Sequence, residues 1–149
     1  FDHRIVKDRN VIINTTNGTG AIKAAEGAAH VLIGAMINHT AVARMAAQLD
    51  RDVIILCAGT EGEFSADDIC AAGAIATSLC KLGQVSAQCD LTLVAKSLYS
   101  DWREARADLS KTYHYARLVD LGFEEAVQFC FQEDITDVVP VYRDGFIHV

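Results

Sequence analysis

Carboxylates are concentrated in residues 61–68, which read Glu-Gly-Glu-Phe-Ser-Ala-Asp-Asp. Four carboxylates in eight residues could bind Mg²⁺, which prefers a few carboxylates together with water and substrate oxygens. Asp67 and Asp68 also fall where a helix is predicted to begin, and acidic side chains in a first turn are stabilised by the helix dipole without any metal. The pattern alone leaves both interpretations open.

A second candidate for chemistry is the stretch Asn-Thr-Thr-Asn-Gly-Thr-Gly at residues 14–20. Its glycines let the backbone turn sharply and approach a ligand, and its threonines and asparagines supply uncharged donors. The helix predicted to follow directs its free N–H groups into the same space. The stretch therefore predicts an anion-binding loop, although Asn-Gly and Gly-Thr-Gly are also ordinary turn sequences.

The elements that position these two loops alternate between apolar strands and helices. Strands are predicted at residues 11–14, 30–34 and 52–57, and helices at 21–29, 39–49 and 66–82, the last two with Asn38 and Ser65 as N-caps. Asp68, three residues after Ser65, suggests a near capping box. Strands without polar alternation are typical of a central, largely parallel sheet. We predict one domain, residues 1–149, of the three-layer α/β/α class with a mostly parallel or mixed central sheet.

The rest of the chain is predicted to be helical, with a hairpin at its end. The helices are expected at residues 90–100, 102–109, 111–121 and 123–132, and the hairpin strands at 138–143 and 146–149 around an Asp144-Gly145 turn. Pro140 favours an edge position for the first hairpin strand.

The predicted topology brings the two loops together. In a mostly parallel sheet, loops that follow strands one and three open at the same edge, where ligands bind. A phosphate would be repelled by the acidic loop unless a divalent cation lay between them, as in metal-assisted phosphoryl transfer.

His30 and His39 are predicted to be packed or surface residues, and His114 is a functional candidate only if its helix folds towards the loops. Cys57 is a weak candidate nucleophile because no arginine follows within its loop.

The composition narrows the class of partner. A net charge of −7 argues against nucleic acid or an anionic membrane as the main partner, since both need a basic face. The five cysteines are odd in number and lack Cys-x-x-Cys spacing, so we expect free, buried thiols in a reducing compartment. No apolar run reaches the ~18 residues of a spanning helix. We expect a soluble, cytoplasmic protein.

Several motifs together resemble the 2-phosphosulfolactate phosphatase family. They are Asn-Thr-Thr-Asn-Gly-Thr-Gly-Ala-Ile at 14–22, Asn38-x-x-Ala41, the Ala-Gly-x-x-Gly-x-Phe-Ser motif within 57–75, and the segment at 109–142. The resemblance is collinear over nearly the whole chain. It implies an Mg²⁺-dependent phosphoric monoester hydrolase that converts 2-phospho-3-sulfolactate to 3-sulfolactate and phosphate, a step associated with coenzyme M biosynthesis.

The resemblance also implies roles for particular residues. The substrate-binding loop would comprise Thr15, Thr16, Asn17, Gly18 and Thr19. Asp68 and Asp67 would be catalytic, with Asp68, Asp67 and Glu63 as metal ligands; Glu61 ranks lower. Family members carry a further N-terminal segment with an Asp-x-x-Arg-Ala-Thr motif, so this chain corresponds to the C-terminal portion. We expect a homo-oligomer, or association with that segment.

Two alternatives remain at this point. One is an Mg²⁺-dependent phosphatase that acts on another small phosphorylated acid. The other is a catalytically silent α/β domain that binds an anion or assembles with a partner chain. The helix-dipole explanation of Asp67 and Asp68 favours the second.

Overall fold

Seven α-helices, two short 3-10 helices (Met36–Asn38 and Leu109–Lys111) and three short strands are present in the computed structural model, which describes residues 3–83 and 89–149. The helices are α1 (His3–Val6), α2 (Gly18–Ala24), α3 (His39–Gln48), α4 (Ala66–Lys81), α5 (Asp90–Arg103), α6 (Tyr113–Asp120) and α7 (Glu124–Cys130). The strands are β1 (Val31–Leu32), β2 (Val141–Arg143) and β3 (Phe146–His148). The described part of the chain is therefore mainly helical, with a small sheet.

The sheet is antiparallel, in the order β1-β2-β3. Val31 pairs with Tyr142, and Tyr142 pairs in turn with Ile147. The predicted hairpin is confirmed, since Asp144 and Gly145 have positive φ angles of 53° and 86°, as a type I′ turn requires. The edge position predicted from the proline is wrong, because β2 is the central strand. Pro140 lies just before β2, and its carbonyl accepts from the N–H of Ile33 at 2.8 Å, so the residue needs no N–H of its own for this contact.

The predicted parallel sheet is not found in the described residues, although the mixture of helices and strands is. Residues 11–14 and 52–57 form no strand. A strand is defined by its ladder, and these segments find no partner in the described chain. Their apolar side chains stay exposed as a result, with Ile12 98% and Ile54 90% accessible. Ile55, by contrast, packs on the core, so the side chains of the second segment alternate in exposure as in a strand covered on one face.

The core surrounds α4, which packs between α3 and α5. On one side Ile75 and Leu79 pack against Val42 and Ala46 of α3. On the other side the backbone of α5 approaches Gly73 so closely that an added Cβ would lie 2.0 Å from the carbonyl oxygen of Ala95. The alanine-rich and glycine-containing sequence of α4 thus permits close helix packing on both sides.

Several predicted boundaries and caps differ from the structure. The break predicted near residue 101 is wrong, since α5 continues to Arg103, and the separate helix predicted at residues 102–109 is not formed. Neither Asn38 nor Ser65 caps its helix through its side chain. The Asn38 side chain instead accepts from the N–H of Ala35 at 2.8 Å and donates to the carbonyls of Ile33 and Val138. It therefore ties the turn before α3 to the segment before β2.

The histidine and cysteine predictions are confirmed in part. His39 is buried and its Nδ1 lies 3.0 Å from the hydroxyl of Ser78, so it is a packed residue. All five cysteines are free, but only Cys70 is fully buried, and Cys89 and Cys130 are exposed. None of the helices in the described ranges is long and apolar enough to cross a membrane.

Candidate functional site

The acidic stretch begins as a tight turn closed between Thr60 and Glu63. The N–H of Thr60 donates to the carbonyl of Glu63 at 3.0 Å, and the N–H of Glu63 donates back at 2.9 Å. Glu61 and Gly62 both have positive φ angles, of 55° and 85°, as a type I′ turn requires. Gly59 has a φ of 71°, and an added Cβ would lie 2.7 Å from the carbonyl oxygen of Glu63. The two glycines therefore fix the backbone of the acidic turn.

Asp68 reaches back from the first turn of α4 to this turn. Its Oδ2 accepts from the N–H of Gly59 at 2.5 Å, so the carboxylate does not complete the capping box predicted with Ser65. Burial raises the pKa of Asp68 and the nearby charge of Asp67 adds to this, while the Gly59 hydrogen bond and His114 lower it. Asp67 is held differently, because it accepts from the hydroxyl of Ser65.

Helix α6 lies against the acidic turn and brings two basic side chains to it. Nδ1 of His114 lies 2.9 Å from the hydroxyl of Thr60. Nη1 of Arg117 lies 2.5 Å from Oε1 of Glu61. Residues three apart on a helix share a face, so α6 contacts two consecutive residues of the turn. His114 thus meets the condition under which the sequence made it a functional candidate.

The predicted substrate loop is organised by its own threonines. The side-chain oxygen of Thr15 accepts from the N–H of Thr19 at 3.0 Å, and the hydroxyl of Thr19 donates to the carbonyl of Thr15 at 2.9 Å. Thr16 is exposed between them, and Gly18 is the first residue of α2. Two donors that were predicted to bind an anion, the N–H and the hydroxyl of Thr19, therefore form hydrogen bonds within the loop instead.

Asn17 joins the two loops. Its Oδ1 accepts from the N–H of Glu61 at 3.0 Å. Since Glu61 also pairs with Arg117, one residue of the acidic turn bridges the donor-rich loop and α6. The structure thus places both predicted loops side by side, without the parallel sheet from which their proximity was inferred.

The predicted metal ligands are only partly assembled. Asp67 and Asp68 adjoin each other at the start of α4, whereas Glu63 closes the turn through its backbone. Within residues 3–83 and 89–149, no group of three or more His, Cys, Asp or Glu side chains is arranged to hold a metal ion. Both aspartates already accept a hydrogen bond, Asp68 from the N–H of Gly59 and Asp67 from the hydroxyl of Ser65.

A cavity of about 400 Å³ opens beside the site, between α6, α7 and the start of α4. Most of its lining is apolar or aromatic, with Asp67, His114 and Cys130 among the other groups. A small anionic molecule would be poorly solvated in such a lining. The polar loops at the rim are therefore better suited to an anion than the cavity itself.

Cys57 is not prepared for nucleophilic attack. Burial raises the pKa of its thiol and the neighbouring Asp68 raises it further. The thiolate is the reactive form, so the structure agrees with the low rank that Cys57 received from the sequence.

Sequence reasoning did not identify Arg117 or its ion pair with Glu61. Residues 10–22 and 52–80, which include the two loops, contain no lysine or arginine, so no cationic side chain was expected at the site. The available signal was the three-residue spacing of His114 and Arg117 on a predicted helix. The direction in which that helix faces cannot be read from its sequence.

The fold and the site together define a mixed α/β protein in which a donor-rich loop and an acidic turn meet under a helix. The family described as 2-phosphosulpholactate phosphatase matches residues 1–145, and the chain belongs to this family. The membership agrees with the resemblance of the motifs at both loops.

Curated bacterial relatives are similar over almost all of the chain. A probable 2-phosphosulfolactate phosphatase of Caldanaerobacter subterraneus subsp. tengcongensis is 40% identical over 143 residues, covering 95% of this chain and 59% of the relative. Proteins of the same description from Clostridium novyi and Clostridium tetani are each 38% identical, over 93% and 99% of this chain and 59% and 62% of their own lengths. The chain therefore spans about three-fifths of the length of these relatives.

Proposed function

We propose that the protein is an Mg²⁺-dependent phosphatase that hydrolyses 2-phospho-3-sulfolactate to 3-sulfolactate and phosphate. Family membership supports the reaction class. The observation that carries the proposal is the hydrogen bond between Asn17 and the N–H of Glu61, because it places the donor-rich loop beside the acidic turn that Asp68 holds. We further assign the reaction to coenzyme M biosynthesis in the cytoplasm, on the motif resemblance and on the five free thiols.

Asp67 and Asp68 are the residues that would hold Mg²⁺, with Glu63 as the proposed third ligand. When bound, the ion would neutralise charge on the phosphoryl oxygens. The loop from Thr15 to Thr19 would hold anionic oxygens, and Thr16 is exposed in it. Asp68 and Asp67 are the proposed catalytic carboxylates, and one of them would accept the proton of the attacking water.

The test is phosphate release from 2-phospho-3-sulfolactate by the full-length gene product, with Mg²⁺ and then with excess chelator. We expect metal-dependent release that falls by about 10²-fold or more in Asp68→Asn, the range typical of a lost acid–base group. Asp144→Asn, in the exposed hairpin turn, is the matched control. Calorimetric titration with Mg²⁺ should show binding that Asp68→Asn loses.

Other outcomes select among the alternatives. Mg²⁺ binding without release of phosphate from this substrate, but with release from another phosphorylated acid, would assign a different substrate. Absence of both Mg²⁺ binding and hydrolysis in folded protein would contradict the proposal and favour a silent anion-binding or assembly domain.

We also propose that the exposed apolar segments at residues 11–13 and 53–56 bind a further part of a family-length chain. These segments carry Ile12 and Ile54, the most exposed isoleucines in the described residues, and roughly two-fifths of the first relatives lies outside the match. An extended segment with unpaired backbone N–H and C=O groups and exposed apolar side chains can pair with another strand. Both segments lead directly into the two loops of the site, so their pairing would position those loops.

A further inference from the structure

Arg117 is the cation that the structure brings to the otherwise acidic and neutral loops. The inference below rests on the proposed function, in which the substrate carries phosphate, sulfonate and carboxylate groups. Such a molecule needs positive charge for binding. From these observations we infer that Arg117 binds an anionic group of the substrate in exchange for the carboxylate of Glu61. Arg117 would then be a substrate-binding residue, and Glu61 the internal anion that occupies it when substrate is absent.

The position of Glu61 explains why it can serve as an exchangeable partner. Its backbone is fixed in the type I′ turn at a φ of 55°, and its N–H is held by Asn17 at 3.0 Å. These contacts keep the backbone in place whether or not the carboxylate is engaged. The side chain can therefore leave Arg117 without unfolding the turn.

The pair itself is exposed to solvent. The Arg117 and Glu61 side chains are 48% and 51% accessible, with 2.5 Å between Nη1 and Oε1. Exposed ion pairs contribute little to stability, so replacing one anion by another has a small cost. A guanidinium also offers several N–H donors in a planar fork, which suits the oxygens of phosphate, sulfonate or carboxylate better than a point charge does.

The neighbours of Arg117 place the exchanged anion beside the proposed reaction site. His114, three residues earlier on α6, contacts Thr60, and Thr60 adjoins both Glu61 and Gly59, which donates to Asp68. An anion on Arg117 would therefore lie next to the turn that holds Asp68. Arg117 also offsets part of the repulsion from the carboxylates of this stretch.

Two substitutions with opposite expected effects test this role. The probes are inorganic phosphate and isethionate, a small hydroxysulfonate, titrated in the absence of Mg²⁺ and followed through the Arg117 Nε–Hε NMR signal and by calorimetry. Arg117→Gln should weaken binding by roughly tenfold or more, as expected for lost charged hydrogen bonds. Glu61→Gln should tighten it by about two- to fivefold, because the competing exposed ion pair is weak. Arg143→Gln, an exposed arginine paired with Asp144, should change nothing.

The direction of the Glu61→Gln effect separates exchange from a structural bridge. If the pair only held α6 against the turn, both substitutions would weaken binding, and this result would overturn the inference. Circular dichroism and thermal melting of each variant would show that the fold is kept, and Arg117→Lys should retain part of the affinity.

The inference and the proposed hydrolysis can fail separately. Turnover with an unchanged KM in Arg117→Gln would overturn the role of Arg117 and leave the hydrolysis standing. Suppose that Arg117→Gln weakens anion binding and Glu61→Gln tightens it, but the protein releases no phosphate. That result would support Arg117 as an anion-binding residue and refute the hydrolysis.

Discussion

Asp68 combines burial with a hydrogen bond that favours its charged form. Burial is the largest influence and raises its pKa, Asp67 raises it further, and the Gly59 N–H and His114 lower it. Because the net pKa lies above the ordinary value, ionisation costs the folded state more than the unfolded chain. The resulting destabilisation is absent at pH values below the unfolded pKa and complete above the folded one.

A carboxyl NMR titration of the metal-free protein tests this balance. The Asp68 midpoint should lie above the 3.8 of an ordinary aspartate. Asp67→Asn should lower the midpoint, because it removes a neighbouring negative charge, and His114→Gln should raise it, because it removes a neighbour that lowers the pKa of Asp68. Asp120→Asn, which is not among the groups that shift Asp68, serves as the control. A midpoint at or below the ordinary value would show that the Gly59 hydrogen bond outweighs burial.

At the scale of elements, helices were predictable where periodicity and boundaries agreed. Helices α3 and α4 lie within one residue of their predicted limits at both ends, because an apolar stripe and a polar or glycine boundary are local features. The strands at residues 11–14 and 52–57 were not found, because a ladder requires a partner that local sequence does not supply. Two other features also depend on residues that are distant in sequence and could not be predicted. They are the hydrogen bond from Gly59 to Asp68 and the direction in which α6 presents Arg117.

The contact between α4 and α5 gives a prediction at this scale. Gly73→Ala would place a methyl group 2.0 Å from the Ala95 carbonyl oxygen and 2.9 Å from Cβ of Tyr99, so the helices must separate. We expect a loss of about 1–3 kcal/mol in the free energy of unfolding, as for other overpacked cores. The measurement is the urea midpoint of unfolding.

Gly20→Ala is the matched control for that substitution. Gly20 is also helical, and an added Cβ meets nothing within 4 Å, so alanine should be neutral or stabilising by up to about 1 kcal/mol. Equal midpoints for the two variants would contradict the close approach of α4 and α5.

At the scale of the whole molecule, two of the strands predicted for the parallel sheet coincide with the exposed apolar segments. Residues 11–13 and 53–56 have strand-like apolar sequences, and Ile55 already packs on the core. What is missing for a ladder is a neighbouring strand. If a further part of the chain pairs with these segments, as proposed above, the two loops would follow paired strands.

Co-expression with the unmatched part of the Caldanaerobacter relative tests this assembly. We expect a one-to-one complex in which the amides of residues 11–13 and 53–56 become protected from hydrogen exchange. Ile12→Asp and Ile54→Asp should each weaken the complex by roughly tenfold or more, since burying an isoleucine contributes about 1.5–3 kcal/mol. Leu91→Asp, an exposed apolar residue of α5, should leave it unchanged. A homodimer by light scattering that Ile12→Asp dissociates would assign these segments to a second copy instead, and absence of any complex would contradict the pairing.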